Sequence, residues 1–268
     1  MPSSSSASNL VPRLALGLSA VVAIWLSLPV QTHAQSNDWS SSLRDSPSTA
    51  NDPWQSFNRS MYAFNRQLDA GIFAPITHAY MSIAPLPLRR ALGAAVDNLR
   101  EPRTVINDLL QARPSLAGQA ARRFIINSTV GGLGLYDAAS ASGLPAHRSD
   151  FGQTLGRYGL NPGRYVFVPV IGPLDLRDGV GRVVDVVTDP ISLAVGGLTT
   201  PFGASRLAAS AIDFRSGADA QIQAVNDDAT DPYATVRSAY VQRRAYLVDQ
   251  AQGVESDLPA FDLPAAAP

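Results

Sequence analysis

Four adjacent residues, His147-Arg148-Ser149-Asp150, gather the side-chain types of a nucleophilic hydrolase. A hydroxyl nucleophile needs a base within hydrogen-bond reach and an acid that orients the base, and adjacency in sequence does not supply that geometry. No Gly-x-Ser-x-Gly elbow accompanies them. Asp150 also has a competing role as N-cap of a helix beginning at Phe151. Asp227, Asp228 and Asp231 could gather Ca²⁺, but they lack the alternating ligands and closing Glu of an EF-hand loop. Asp231 reads instead as the cap of a helix starting at Pro232. Gly131-Gly132-Leu133-Gly134 offers backbone that can approach a phosphate, yet it lacks the Lys-Ser/Thr of a P-loop and follows a helical run. A turn or a close helix contact explains it better, as it does Gly179-Val180-Gly181. The sequence therefore assigns no catalytic residue, metal ligand or cofactor, and a non-enzymatic role is expected.

The elements that position these residues are exported, weakly charged and punctuated by proline. The 268 residues allow one domain or two modest ones. Charged residues make up 16%, below the usual share of about 25%. Every one of the 21 cations is Arg, and Glu occurs only at 101 and 255. A slightly acidic balance without a cationic face excludes nucleic acid as a partner. With no cysteine, disulfides and thiolate metal sites are excluded.

Residues 1–34 read as a signal peptide: Arg13, an apolar stretch from Leu14 to Leu28, and Thr32-His33-Ala34 before Gln35. The stretch is short for a hydrocarbon core of about 30 Å, which favours cleavage over a retained anchor. Residues 35–51 are Ser- and Asp-rich and read as a flexible linker, 52–249 as a helical domain, and 250–268 as a disordered tail.

Asp52-Pro53 opens the folded part with a capping carboxylate and a proline at the first helical position. Trp54, Phe57, Met61, Phe64 and Leu68 then recur at three- and four-residue steps, an apolar stripe expected to pack on a core. Asn58, Arg59 and Asn65 lie off it. A helix over Leu86–Asn98 follows. Glu101-Pro102 opens another, with Val105, Ile106, Leu109 and Leu110 on one side, and Arg113-Pro114 ends it. Further helices are predicted over 115–128 and 175–187, the latter with Leu176, Val180, Val183, Val184 and Val187 on its apolar face, and after Thr200-Pro201 and Asp231-Pro232. Residues 165–171 are strand-like but contain Pro169, which suggests an extended connector.

These motifs, Asp52-Pro53-Trp54 with Phe57-Asn58-Arg59-Ser60-Met61-Tyr62-Ala63-Phe64-Asn65, the runs 124–139, 150–159 (DFGQTLGRYG) and 163–178, resemble the MlaA/VacJ family in order and over roughly 51–249. The resemblance implies a mainly α single domain of short amphipathic helices, with few or no strands, curved into a ring around a central channel. It implies an outer-membrane protein on the periplasmic side, in the inner leaflet. Such a protein takes mislocalised phospholipids from the outer leaflet and passes them to a soluble periplasmic lipid carrier, in association with a trimeric porin. By motif, Phe57, Asn58, Arg59, Tyr62 and Asn65 match the channel or gate element, and Gly131, Gly132 and Gly134 a glycine-rich flexible segment. Arg157 and Tyr158 are candidates for headgroup contact. Most members carry a lipidated Cys directly after the signal, where this chain has Gln35. Two alternatives remain: a soluble periplasmic adaptor or lipid-binding protein that has lost membrane anchoring, and a hydrolase.

Overall fold

Proline and aspartate set the boundaries of the helices. In the computed structural model, which describes residues 52–195, 197 and 200–254, the chain runs α1 (Gln55–Leu68), a π-helical turn (Asp69–Phe73), α2 (Ala74–Ile83), α3 (Leu86–Asn98), α4 (Glu101–Leu110) and α5 (Pro114–Thr129). It continues with α6 (Ala138–Ala141), α7 (Phe151–Arg157), β1 (Tyr165–Val168), β2 (Gly172–Asp175) and α8 (Leu176–Val187). The last elements are α9 (Pro190–Ala194), α10 (Pro201–Gly217), α11 (Asp219–Asp228) and α12 (Pro232–Gln252). Asp137, Asp150, Asp175, Asp189, Thr200 and Asp231 each accept a hydrogen bond from the backbone N–H three residues on, which satisfies an otherwise orphaned donor. Pro190, Pro201 and Pro232 follow their caps directly, where the missing N–H costs nothing.

The fold is mainly α, as expected. The expected signal peptide and linker, residues 1–51, and the tail beyond 254 lie outside the described residues. The expected start of the tail at 250 is corrected: α12 continues to Gln252 and ends on Gly253, whose φ of 78° gives a left-handed C-cap. Residues 165–171 are also not a connector. β1 pairs antiparallel with β2, from Tyr165 opposite Asp175 to Val168 opposite Gly172. Pro169 lies one residue past the ladder, so it ends the strand instead of interrupting it, and Gly-Pro-Leu-Asp in β2 carries no alternating pattern to announce a strand.

A small aromatic cluster forms the apolar core: Tyr165 and Phe167 from β1 and Tyr233 from α12, flanked by Met61, Tyr62, Val236 and Tyr240. Tyr62 meets Phe167 edge-on with ring centres 5.4 Å apart, a geometry the ring quadrupoles favour. Elsewhere the buried apolar side chains are mostly alanines, so helices approach closely. At the α7–α8 crossing a Cβ on Gly181 would lie 2.3 Å from the Gly152 amide nitrogen, which makes Gly181 a close-packing residue and not a ligand cradle.

The burial pattern of the amphipathic helices is the reverse of the expectation. In α1, Trp54, Phe57 and Phe64 of the apolar stripe are exposed, and Asn58 is the buried residue. In α4, Leu109 is 56% exposed, with Ile106 and Leu110 also outside, while Glu101, Thr104, Asn107 and Asp108 are buried. In α8, Val183 is 50% exposed, along with Leu176, Val180 and Val187, while Arg177, Asp178, Gly181 and Asp185 face inward. The period was read correctly; which face looks inward was not.

Candidate functional site

Asn58 and Asn65 are two helical turns apart on α1 and face the same strand. The Asn58 carboxamide oxygen accepts from the Phe167 N–H at 2.8 Å, and its nitrogen donates to the Tyr165 carbonyl at 3.3 Å and to Asp52 Oδ1 at 2.6 Å. Asn65 repeats the pattern: its oxygen accepts from Val170 N–H at 2.9 Å and its nitrogen donates to the Val168 carbonyl at 3.3 Å. A side-chain amide carries the same donor–acceptor pair as a peptide, so the two residues replace a missing strand along the free edge of β1. Asn58 has no exposed surface. In this conformation it holds backbone and does not line a path, because every polar atom of its side chain is spent on the protein.

The rest of the motif surrounds this grip. Phe57 is exposed, and Tyr62 is half-buried in the aromatic cluster. Arg59 forks onto Asp231 at 3.0 and 2.6 Å and stacks 4.7 Å above the Tyr233 ring, joining α1 to the start of α12. Asp52 accepts from Asn58, from the Tyr233 hydroxyl and from Arg237 at 3.2 Å, so the first described residue is fixed by α12.

Gly132, Leu133 and Gly134 have φ of 60°, 62° and 90°, a left-handed run that reverses the chain after α5. A Cβ on Gly131 would meet the Tyr136 carbonyl at 2.2 Å, whereas Gly132 has open space around it. Val130, Leu133, Leu135 and Tyr136 are exposed, so the reversal presents apolar side chains outward. Arg157 donates to the Ala251 carbonyl near the end of α12, and the Tyr158 hydroxyl donates to the Leu110 carbonyl at 2.6 Å. Both candidate headgroup residues thus have protein partners, although the Tyr158 ring is largely exposed.

The hydrolase candidates do not assemble. Asp108 accepts from the Ser149 hydroxyl at 2.5 Å and bonds His147 Nε2 at 2.6 Å, so the carboxylate separates the serine from the histidine. Ser149 donates to Asp108 and has no bond to the imidazole. Asp150 caps α7. Asp231 caps α12, and no group of three metal-ligating residues occurs among the described residues.

The interior is held instead by ion pairs and amides. Arg244 of α12 bridges Asp150 and Asp178, at the starts of α7 and α8. Burial pushes the Asp150 carboxyl up, but the Arg244 fork and the Gln153 N–H outweigh it and hold the group below its ordinary value. Arg123 of α5, itself buried, binds Glu101 at 2.7 Å, Asp137 at 3.0 Å and the Leu144 carbonyl. Burial also pushes Asp137 up, and Ser140, Arg123 and Asn127 together bring it down to about 2. Asn107 donates to Asp185 at 2.9 Å and accepts from Thr154, which accepts from Gln111. Sequence reasoning missed this network. Its signal was present in Glu101, Thr104, Asn107 and Asp108, which repeat at helical spacing opposite the apolar stripe. The all-Arg composition was another, since a guanidinium satisfies several buried acceptors from one side chain.

Fold and site together define a class: a mainly α domain with an ion-paired polar interior, an apolar exterior and one hairpin clamped by helix-borne amides. The model of the family described as MlaA lipoprotein matches residues 50–247. The chain is 32% identical over 230 residues to the intermembrane phospholipid transport system lipoprotein MlaA of Escherichia coli K12, covering 79% of this chain and 88% of the relative. It is 33% identical over 213 residues to the protein so named in Haemophilus influenzae, covering 78% and 84%. It is also similar to a solved structure from work on the structural basis for maintenance of bacterial outer membrane lipid asymmetry. That likeness has a TM-score of 0.66 and 31% identity, over 74% of this chain and 98% of the other. The chain belongs to the MlaA family.

Proposed function

We propose that this chain moves phospholipids without catalysis, withdrawing mislocalised molecules from the outer leaflet of the outer membrane and passing them to a periplasmic lipid carrier, so that the two leaflets stay different. The named relatives and the solved structure support the substrate and the membrane. The observation that carries the reading is the reversed burial: exposed Leu109, Val183, Phe57 and Ile83, the last at 81%, over buried Asp108, Asp185 and Asn58. Each exposed apolar side chain costs on the order of 25 cal/mol per Å² in water and nothing among acyl chains. No described helix is long and apolar enough to cross a membrane. Short amphipathic helices of this kind lie along an interface, apolar face down, which suits embedding in one leaflet.

In this account the helices curve into a ring around a path, and a trimeric porin holds the ring at the membrane. A lipid in water exposes its tails at about 0.8 kcal/mol per CH₂, and its headgroup resists hydrocarbon. A polar path with an apolar surround lowers both barriers. Phe57 and Tyr158, exposed at the ends of polar anchors, meet the tails; Asn58, Asn65, Arg59 and Tyr62 fix the wall, and Gly131, Gly132 and Gly134 let the reversal after α5 move.

The test is complementation. In a strain lacking its own family member, expression of the chain lowers surface-exposed phospholipid to the level of the intact strain. Normal expression and membrane association with no such decrease would refute the proposal, and recovery of the chain in the detergent-free soluble fraction would favour the periplasmic adaptor.

A further inference from the structure

A cavity of about 140 Å³ lies where the end of α3, α4, α5 and the loop leading to α7 meet. Its charged lining is arranged by depth. At the rim, Arg100 and Arg148 both donate to one oxygen of Asp97, at 2.7 and 2.8 Å, with Arg148 59% and Asp97 49% exposed. At the floor Glu101 and Arg123 are paired and their side chains are only 6% and 3% exposed. Arg100, Arg123 and Arg148 are balanced by Asp97, Glu101 and Asp137, so the lining is formally neutral, with arginine–carboxylate pairs at both the rim and the floor.

Three buried atoms in this lining have no hydrogen-bond partner within the protein: Glu101 Oε2, Asn98 Oδ1 and His147 Nδ1. Glu101 Oε1 is taken by Arg123, and the Asn98 nitrogen donates to Ser128. His147 Nε2 is engaged by Asp108 Oδ2 at 2.6 Å, so Nδ1 is the ring nitrogen left at the cavity. The two oxygens, Glu101 Oε2 and Asn98 Oδ1, are acceptors without a donor. A primary ammonium has three N–H donors and a full positive charge, which a water molecule lacks. Burial and the neighbouring Arg148 cation lower the proton affinity of Arg100 while Asp97 works against them, and a second anion at the rim would act in the same direction as Asp97.

We propose that this cavity binds a phosphoethanolamine zwitterion, its ammonium on Glu101 and Asn98 and its phosphate between Arg100 and Arg148, and that the source is a phospholipid headgroup. The proposal rests on the phospholipid-transport reading and adds headgroup selectivity to it. The depth order fits a lipid: the ammonium is the terminal group and sits deepest, the phosphate follows at the rim, and the acyl chains leave toward the exterior. An anionic headgroup without an amine offers the floor no donor of matching charge.

The full chain, purified in detergent micelles, is titrated by native mass spectrometry with dimyristoyl phosphatidylethanolamine, its N-acetylated form, dimyristoyl phosphatidylglycerol and free O-phosphoethanolamine. The amine-bearing lipid binds about tenfold more tightly than the other two lipids, the effect of about 1.4 kcal/mol from one charge-assisted contact. Glu101→Gln brings the three lipids to within about twofold of each other, a loss of most of that margin. Arg148→Ala, at the exposed rim, weakens all three lipids alike, since each carries a phosphate. Equal binding of the three lipids by the unaltered chain overturns the proposal and needs no variant to fold. Free O-phosphoethanolamine binding as tightly as the lipid overturns the lipid source. Failure of every lipid to bind counts against phospholipid transport itself, whereas binding without headgroup discrimination counts only against this cavity.

Discussion

Arg244 and Asp150 are joined by two parallel hydrogen bonds of 2.7 and 3.0 Å, and the same guanidinium continues to Asp178 at 2.8 Å. One side chain of the last helix thus ties down the caps region of two earlier helices. Removing it leaves two carboxylates facing each other in a poorly solvated site. Arg244→Met is expected to cost about 3–5 kcal/mol, the range for breaking a buried pair from one side. Guanidinium unfolding of the chain in detergent, followed by circular dichroism, measures the change.

The Asn58 and Asn65 grip predicts graded damage. Asn58→Leu strands the Phe167 N–H, the Tyr165 carbonyl and one oxygen of Asp52, Oδ1, in a buried site, at about 1–3 kcal/mol for each group left unsatisfied. Asn65→Leu affects a partly exposed pair and costs less. Hydrogen exchange at Phe167 and Val170 reads the two effects separately: Asn58→Leu speeds exchange at Phe167, and Asn65→Leu at Val170. Equal, unchanged protection in both variants would remove the clamp from the account.

The reversal after α5 separates space from conformation. Gly131→Ala drives a Cβ into backbone carbonyls and is expected to lower expression and thermal stability sharply. Gly132→Ala meets open space and carries only the strain of φ 60°, about 1 kcal/mol. Thermal unfolding of the two variants side by side checks the order.

Stability carries a specific pH dependence through Asp175. Burial and the neighbouring Asp178 charge push its carboxyl up to about 6, against the Asp178 N–H and Arg177. The folded chain therefore binds this proton more tightly than the unfolded chain does. The resulting stabilisation is complete below the ordinary carboxyl value and is lost as pH rises through about 6. Asp175→Asn keeps a capping oxygen and stays neutral, so it gains on the unaltered chain between pH 4.5 and 7.5, in the direction that denaturant midpoints at the two pH values report. Asp137, held at about 2, acts with the opposite sign and only at lower pH, its contribution lost as pH falls below the ordinary value toward 2.

Much of this architecture was legible in the chain. Proline and capping residues gave α3 and α4 their boundaries and located the starts of α7, α10 and α12, because caps act through local hydrogen bonds that sequence records directly. The hairpin was not legible, since β2 draws its pairing from β1 and from no pattern of its own. The inward faces were not legible either. Periodicity identifies two unlike faces of a helix but not the medium outside, and the usual assumption of water inverted α1, α4 and α8. Asn58 fell to the same difficulty: its place off the stripe suggested a channel or gate position, and nothing local announced that it is held by backbone 107 and 109 residues away.

The reversed faces also yield the most direct test. The chain has no cysteine, so a spin label on Leu109→Cys or Val183→Cys is unique. With the protein reconstituted in liposomes, both labels are expected to collide freely with oxygen, which concentrates in hydrocarbon, and to be shielded from a water-soluble nickel chelate, unlike a label at exposed Gln223. Nickel accessibility at Leu109 and Val183 equal to that at Gln223 would place those faces in water and contradict the account.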